Sequence, residues 1–243
     1  MSDERRVALV TGAASGIGAA IAARLERDNW DVLGADIQGD VDVRADLTTR
    51  AGNRDAVAAA YARFGRLDAV IANAGFQHVA PIEEFPEDRW DAIVALLLTS
   101  PFLLARYAWP HLVESGSGRF VAIASIHGLV ASPYKAAYVS AKHGVIGLIR
   151  TLALEGADHG ISATAVCPAY VRTPLVESQI ADQARAHGLP EERVLEEVIL
   201  ASQPVKRLIE PDEVASAVAY LLSPDGRAFT GAPVIMDQGW SAR

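Results

Sequence analysis

Cysteine, positive charge and long apolar runs are all scarce in this chain of 243 residues. The single cysteine, Cys167, excludes a disulfide within the chain, and its apolar neighbours predict a buried structural thiol at a strand end. The 22 basic residues are outnumbered by 30 acidic ones. The resulting net charge of −8 provides no basic surface for nucleic acid or an anionic membrane. Apolar runs such as 92–98 fall far short of the roughly 20 residues of a membrane span.

The polar residues 1–6 lack the pattern of a signal peptide, so we expect a cytoplasmic protein. Hydrophobic residues make up 51% of the chain, and strand-length apolar runs alternate with longer helical patterns. Strands are predicted at 7–11, 31–35, 67–72, 119–124, 162–166 and 233–236, and helices at 17–27, 55–64, 90–107, 136–155 and 213–222. This alternation predicts a single-domain, Rossmann-type, doubly wound parallel α/β sheet with helices on both faces.

Two segments interrupt the regular alternation. Only ten residues separate Asp36 from Asp46, which leaves little room for a helix between the second and third strands. The segment 176–205 is polar, charged and helix-prone, and it precedes the last helix and strand. A mobile lid over a substrate fits that position.

A glycine-rich stretch, Thr11-Gly12-Ala13-Ala14-Ser15-Gly16-Ile17-Gly18, joins the first strand to the first helix. Gly12 allows a tight turn, and Gly16 and Gly18 allow the backbone to approach a pyrophosphate at the helix N-terminus. Asp36 ends the second strand, 24 residues after Gly12. A carboxylate there accepts hydrogen bonds from ribose hydroxyls and repels a 2′-phosphate, which favours NAD over NADP. The alternatives are a turn-and-packing role for the glycines and a solvated turn aspartate.

Three further side chains form a candidate catalytic set. Ser125 closes a predicted strand, and Tyr138 and Lys142 lie one turn apart on one face of a predicted helix. A tyrosine hydroxyl can exchange a proton with an alkoxide, and a nearby lysine ammonium is expected to lower its pKa. A serine hydroxyl can orient the carbonyl. A Tyr-x-x-x-Lys pair alone is common on protein surfaces. The catalytic interpretation therefore depends on the glycine-rich loop and Ser125 that precede the pair in the same chain.

Together these motifs resemble the short-chain dehydrogenase/reductase family along essentially the whole chain. Asn73-Ala74-Gly75 matches the family's Asn-Ala-Gly motif, and Pro168 and Thr173 match the segment beside the nicotinamide carboxamide. The resemblance implies an NAD cofactor, no metal and a homotetramer. The implied cofactor contacts are Gly12, Ser15, Gly16, Ile17, Gly18, Asp36, Asp46, Leu47, Asn73, Ala74, Gly75, Tyr138, Lys142, Pro168, Val171 and Thr173.

Two positions depart from the family pattern. Counted from Trp90 and Asp91, Leu97 stands where the family usually has an asparagine, which holds a water linking the lysine to solvent. A leucine cannot do so, and either a backbone carbonyl with waters replaces it or turnover is reduced. Ala169 follows Pro168 where a glycine is common.

Further segments resemble the D-3-hydroxybutyrate dehydrogenase subgroup: 124–130, 135–138, 173–176 with Gln179, and 239–240. The resemblance implies that Gln77, His127, Lys135 and Gln179 hold a substrate carboxylate, that Tyr170 closes the lid and that Trp240 reaches the pocket. A cation and several donors beside the catalytic tyrosine suit a small 3-oxo acid. Each residue also has a plainer interpretation, as a solvated lysine, a loop histidine, a surface glutamine or a packing tryptophan.

The leading hypothesis is reversible, NAD-dependent oxidation of (R)-3-hydroxybutyrate to acetoacetate. One alternative is a dehydrogenase for another small hydroxy acid, a polyol or a cyclic alcohol. Another is a cofactor-binding regulator that has lost turnover, favoured only by Leu97.

Overall fold

Seven strands form one parallel sheet in the computed structural model, which describes residues 5–242. The strands are β1 (Val7–Thr11), β2 (Asp31–Asp36), β3 (Val43–Arg44), β4 (Ala69–Ala72), β5 (Arg119–Ile123), β6 (Ser162–Pro168) and β7 (Pro233–Met236). Their order across the sheet is β3-β2-β1-β4-β5-β6-β7, with every neighbouring pair parallel. The predicted doubly wound α/β fold is therefore confirmed.

The central strands are apolar because both faces of the sheet are covered. Every residue of β1, β4, β5 and β6 is buried, as the absence of alternation in their sequences predicts. Cys167 is fully buried within β6, which confirms the structural thiol.

The main helices divide between the two faces of the sheet. They are α1 (Gly16–Arg27), α2 (Arg50–Phe64), α3 (Glu87–Val94), α4 (Ser100–Glu114), α5 (Ala136–Gly156), α6 (Pro174–Ser178), α7 (Ile180–His187), α8 (Glu191–Val194) and α9 (Pro211–Leu222). Helices α2, α4 and α5 cover one face, whereas α1 and α9 pack together on the other. The predicted lid segment folds largely into α6, α7 and α8.

Helices α3 and α4 are joined by a π turn, Ala95–Thr99, into one long helix, Glu87–Glu114. Its length and composition alone would allow it to cross a membrane, but Leu104, Ala108 and Leu112 are buried in the core beneath the sheet. The buried core helix of a globular protein can have the same length and apolar composition, so these two properties are weak evidence for a membrane span.

The connection between β2 and β3 contains no helix, as predicted. Strand β3 pairs with β2 at only two residues. The Asp42 carboxylate then accepts a hydrogen bond from the Gly34 amide at 2.8 Å, in place of a further strand residue, and it also pairs with Arg63. At the outer edge of the sheet, the Asp42 side chain thus binds a backbone amide of β2 that a longer β3 would otherwise have paired with.

Candidate active site

The carboxyl ends of the central strands open into a cleft of about 400 Å³. Every predicted cofactor contact except Gly18 lines this cleft: Gly12, Ser15, Gly16, Ile17, Asp36, Asp46, Leu47, Asn73, Ala74, Gly75, Tyr138, Lys142, Pro168, Val171 and Thr173. Parallel α/β sheets bind their ligands at this edge, where the strand order reverses. Strand β1 lies at that reversal, between β2 and β4.

The turn after β1 needs glycine for steric reasons. Gly12 has a φ of +67°, and a Cβ there would lie 2.7 Å from the Asn73 Nδ2. The Asn73 amide donates to the carbonyls of Thr11 and Gly12 at 2.9 and 3.3 Å. The Asn-Ala-Gly motif therefore braces the glycine-rich loop. The loop leads into the N-terminus of α1, whose free amides suit the pyrophosphate of a dinucleotide.

Gly18 has a different role from the one predicted. It is buried inside α1, where a Cβ would lie 2.0 Å from the Gly12 carbonyl oxygen. Because Gly18 does not line the cleft, its missing side chain allows the helix to pack against the turn and does not admit a phosphate. Gly16, with a φ of +55°, does line the cleft and faces Thr173.

Asp36 lies at the end of β2 with its carboxylate held by three backbone amides. Ala14 donates to Oδ2 at 3.1 Å, and Ile37 and Gln38 donate to Oδ1 at 2.7 and 3.3 Å. The carboxylate is thereby fixed beside the glycine-rich loop and borders the cleft. A fixed negative charge there accepts ribose hydroxyls and opposes a phosphate.

The three predicted catalytic side chains meet at the centre of the cleft. Ser125 lies two residues beyond the end of β5, and its Oγ accepts a hydrogen bond from the His127 amide at 3.1 Å. Tyr138 and Lys142 both lie on α5, and the Lys142 ammonium lies 5.5 Å from the centre of the Tyr138 ring. The Lys142 Nζ donates to the Ile123 carbonyl at 2.6 Å. Two elements, β5 and α5, therefore position the whole set.

The expected lowering of the Tyr138 pKa by Lys142 is wrong for this structure. Burial of the hydroxyl raises the pKa of Tyr138, and a hydrogen bond with Ser125 opposes the rise. Burial also lowers the pKa of Lys142 to about 8, and the ammonium is already bound to a carbonyl. At neutral pH Tyr138 is therefore protonated and ready to donate.

Leu97 is buried in the π turn and packs with Ile93, Ala137 and Ala141 beside Tyr138. A Cβ on Gly75 would lie 2.8 Å from the Leu97 Cδ2, so the glycine makes room for the leucine. An apolar wall therefore stands where the family pattern places a polar asparagine.

A smaller recess of about 50 Å³ adjoins the catalytic set. It gathers the four predicted carboxylate-binding residues and the predicted lid-closing Tyr170 with Ser125 and Tyr138; the four are Gln77, His127, Lys135 and Gln179. The predicted residues come from five separate segments of the sequence, so their convergence is a property of the fold.

Lys135 is the cation of the recess. It is 2% exposed, and its Nζ donates to the Tyr170 hydroxyl at 2.9 Å. Burial lowers its pKa to about 8. The Gln77 Nε2 is buried without a hydrogen-bond partner, whereas the Gln179 Nε2 donates to the Leu175 carbonyl at 2.8 Å. A buried cation and an unpartnered amide donor together provide a site for an anion.

His127 is held by a ring of aromatic edges. The rings of Tyr138, Tyr170 and Trp240 lie 6.1, 6.1 and 5.5 Å from its own, each nearly perpendicular to it. Burial and the charge of Lys135 lower the pKa of His127 to about 3, so it is neutral. Trp240 does not line the recess; it stacks on Tyr170 and forms its outer support.

Several contributors to the site were not predicted from the sequence, Ser132 and Ile37 among them. Ser132 lies 2.8 Å from the His127 Nε2 through its Oγ, and Ile37 lines the cleft next to Asp36. Nothing in the local pattern distinguishes Ser132 from other loop serines. Ile37 could have been identified, because it is an apolar residue in a polar turn directly after a strand. Its side chain is 64% exposed at the cleft.

Comparisons with known proteins agree with this geometry. A family described as "Enoyl-(Acyl carrier protein) reductase" matches residues 12–241. D-beta-hydroxybutyrate dehydrogenase of Rhizobium meliloti (strain 1021) is 43% identical, covering 98% of this chain and 99% of the relative. Cis-4-hydroxycyclohexanecarboxylate dehydrogenase of Sinomonas cyclohexanicum is 37% identical, covering 98% and 97%. The crystal structure of levodione reductase superposes with a TM-score of 0.90 at 32% identity, covering 98% of each chain. Because these matches extend over nearly its whole length, the chain belongs to the short-chain dehydrogenase/reductase family of oxidoreductases.

Proposed function

We propose that the protein catalyses the reversible, NAD-dependent oxidation of (R)-3-hydroxybutyrate to acetoacetate. The observation that carries this proposal is the buried Lys135 ammonium, which shares a small recess with Tyr138 and Ser125. A buried cation beside an alcohol-oxidising tyrosine selects a substrate with a carboxylate close to its hydroxyl. A four-carbon 3-hydroxy acid has that spacing, and the recess of about 50 Å³ favours a small one.

The proposed chemistry divides between the cofactor and the chain. A nicotinamide cofactor bound in the cleft would supply the hydride acceptor for oxidation and the hydride donor for reduction. In reduction Tyr138 donates its phenol proton to the forming alkoxide, and in oxidation its deprotonated form, the phenolate, takes the hydroxyl proton. The Ser125 hydroxyl holds the reacting oxygen, and Lys142 supplies positive charge near the Tyr138 ring. The Lys142 ammonium is also available to the nicotinamide ribose hydroxyls.

The carboxylate end is bound by the other side of the recess. Lys135 donates a charge-assisted hydrogen bond, and the free Gln77 Nε2 gains the partner that it lacks. The Gln179 amide has one proton engaged by the Leu175 carbonyl and one available for the substrate. Tyr170 orients Lys135, and Trp240 stacks behind Tyr170.

The direct test is NADH formation from (R)-3-hydroxybutyrate and NAD⁺, with the (S)-acid and NADP⁺ as controls. Turnover with the (R)-acid and NAD⁺ alone supports the proposal and shows that Leu97 permits proton transfer. NADH binding without turnover overturns the substrate and leads to a panel of other substrates and to a Leu97→Asn variant. Inactivity on the whole panel would indicate a cofactor-binding regulator.

A second candidate is a dehydrogenase for another hydroxy acid, such as a cyclic one. It is favoured by the 37% identical relative whose name specifies a hydroxycyclohexanecarboxylate. Both candidates need the carboxylate-binding recess, so the relative kcat/KM of linear and cyclic hydroxy acids separates them. A polyol preference would contradict both, since a polyol has no carboxylate for Lys135.

The preference for NAD rests on Asp36. We expect Asp36→Asn to lower the ratio of kcat/KM for NAD⁺ to that for NADP⁺ by about tenfold or more, because it removes the charge opposing a 2′-phosphate. Steady-state kinetics with both cofactors measure this ratio. Asp40→Asn, an exposed carboxylate on the same connection, is the control for net charge. Equal ratios in the wild type and Asp36→Asn would contradict the assignment.

We further propose a cytoplasmic homotetramer. Large apolar side chains are exposed on the helices α4 and α5, where Phe102 is 44% and Leu154 is 82% exposed. Ile235 on the edge strand β7 is 46% exposed. These positions support assembly through a helix face and the C-terminal strand. Light scattering should report about four times the chain mass of 25.8 kDa; a monomer mass would contradict the proposal.

A further inference from the structure

A buried asparagine lies behind the wall of the cleft that the residues 46–48 form. Asn53 on α2 is fully buried, and both donor protons of its side-chain amide are engaged. Its Nδ2 donates to the carbonyls of Leu47 and Thr49 at 2.8 and 2.7 Å. Its Oδ1 accepts the Ser100 hydroxyl at 2.6 Å. Both protons and the oxygen of this buried amide have hydrogen-bond partners, so Asn53 is part of a specific polar network within the core.

The carbonyls that Asn53 holds belong to the turn between β3 and α2. Three residues of this turn, Asp46, Leu47 and Thr48, line the cleft at the end where Asp36 lies. The Asp46 carboxylate accepts the Thr48 amide at 3.0 Å and the Thr48 hydroxyl at 2.7 Å. Because Asn53 donates a hydrogen bond to the Leu47 carbonyl from within the core, it fixes the plane of the peptide bond that follows Leu47.

Ser100 connects this turn to the opposite wall. It is buried at the start of α4, directly after the π turn Ala95–Thr99. That turn places Leu96 and Leu97 on the cleft. The hydrogen bond between Ser100 and Asn53, which lie 47 positions apart in the sequence, therefore joins the two walls of the cleft.

We propose that Asn53, supported by Ser100, is a positioning residue for the adenine end of the dinucleotide cofactor. The assignment rests on the proposed placement of the cofactor in the cleft, with its adenosine ribose at Asp36. Asn53 touches no cofactor atom itself; it holds the 46–48 wall in one position, so that no binding energy is spent on ordering it. Its side-chain hydrogen-bond partners are Leu47, Thr49 and Ser100, which do not include the catalytic residues Tyr138 and Lys142 at the nicotinamide end.

The test separates cofactor affinity from stability. Asn53→Leu removes the grip but leaves the Ser100 hydroxyl buried without a partner, which destabilises the fold as well. Combining Asn53→Leu with Ser100→Ala removes that unpartnered hydroxyl, so the remaining cost in stability is the loss of the side-chain donor to the Leu47 and Thr49 carbonyls. Thr164→Val is the matched control: Thr164 is a buried core residue whose hydroxyl bonds the Phe229 carbonyl, away from the cleft.

In the double variant we expect the Kd for AMP and the KM for NAD⁺ to rise roughly fivefold to tenfold, the equivalent of about one buried hydrogen bond. The kcat at saturating NAD⁺ should stay within about twofold of wild type, because the catalytic set is unchanged. Calorimetry with AMP, steady-state kinetics and thermal unfolding measure the three quantities. Thr164→Val should lower the melting temperature without changing the Kd for AMP.

Unchanged affinity for AMP in the double variant would overturn the inference. So would a parallel loss of AMP affinity in Thr164→Val, since the effect would then follow stability alone. If wild-type protein binds NADH but AMP does not compete, the placement of the adenine end is wrong. This outcome overturns the inference but not the proposed reaction, which the substrate assay tests separately.

Discussion

Replacing Tyr138 by phenylalanine should lower kcat for the acid substrate by about 10²–10⁴, the range supplied by a positioned proton donor. The substitution removes one oxygen atom from a ring that packs against Leu97, Ala137 and Ala141. The fold and the cleft should therefore persist. NADH fluorescence should show an unchanged Kd, while absorbance measurements of NADH formation show the loss of turnover.

The control is Tyr220→Phe, which makes the same change on an exposed side chain of α9. Its turnover should equal that of wild type. If Tyr138→Phe kept more than about a tenth of wild-type kcat, a group other than Tyr138 would have to carry the proton.

Replacing Lys135 by methionine should lower kcat/KM for acetoacetate reduction by about two to three orders of magnitude, because it removes the cation from a desolvated charge pair. Reduction of 2-pentanone, a neutral methyl ketone of similar shape, should be affected far less. The ratio of the two kcat/KM values is the measurement. Arg150→Met removes one positive charge from an exposed position on the same helix and should leave the ratio unchanged. Equal losses for both substrates would show that Lys135 supports the fold and does not recognise the carboxylate.

The same residue predicts a pH dependence. Burial lowers the pKa of Lys135 to about 8, so its amine is charged below that pH and neutral above it. We expect KM for acetoacetate to rise above a pH of about 8, while KM for 2-pentanone stays flat. A bound carboxylate stabilises the ammonium and raises the pKa of Lys135 in the complex, so KM continues to rise until the pH exceeds that higher value. In Lys135→Met the KM for acetoacetate should be high at every pH.

Local sequence signals were sufficient for six of the seven strands, but the range of the two-residue strand β3 was not predicted. They also identified many residues that line the cleft, although Ile37 was missed. The central strands are continuous apolar runs in the sequence, and the nine residues between Asp36 and Asp46 leave little room for a helix. Parallel strands bring their carboxyl ends to one edge, so Asp36, Asn73 and Ser125 had to converge once the fold was known.

The features that escaped prediction depend on distances across the fold. The role of Gly18 is set by the Gly12 carbonyl oxygen, which the turn brings within 2.0 Å of the position that a Cβ on residue 18 would occupy. The pKa of Tyr138 depends on burial, which raises it, and on neighbouring groups such as Ser125. The spacing of residues along a helix identifies neighbours such as Lys142, but it does not show how deeply the hydroxyl is buried. The Asn53–Ser100 pair joins segments with no sequence relation, so only the packing of α2 on α4 reveals it.

The two edges of the sheet differ in their capacity to recruit another strand. At β3 only two residues pair, and the Asp42 carboxylate occupies the next backbone amide of β2, so an incoming chain meets charge and few free amides. Short, charged edges of this kind resist runaway polymerisation of sheets. At β7 the four-residue edge strand instead presents the exposed Ile235. We therefore expect any growth of the sheet at the β7 end, where the symmetric subunit contact of the proposed tetramer would close on itself and stop.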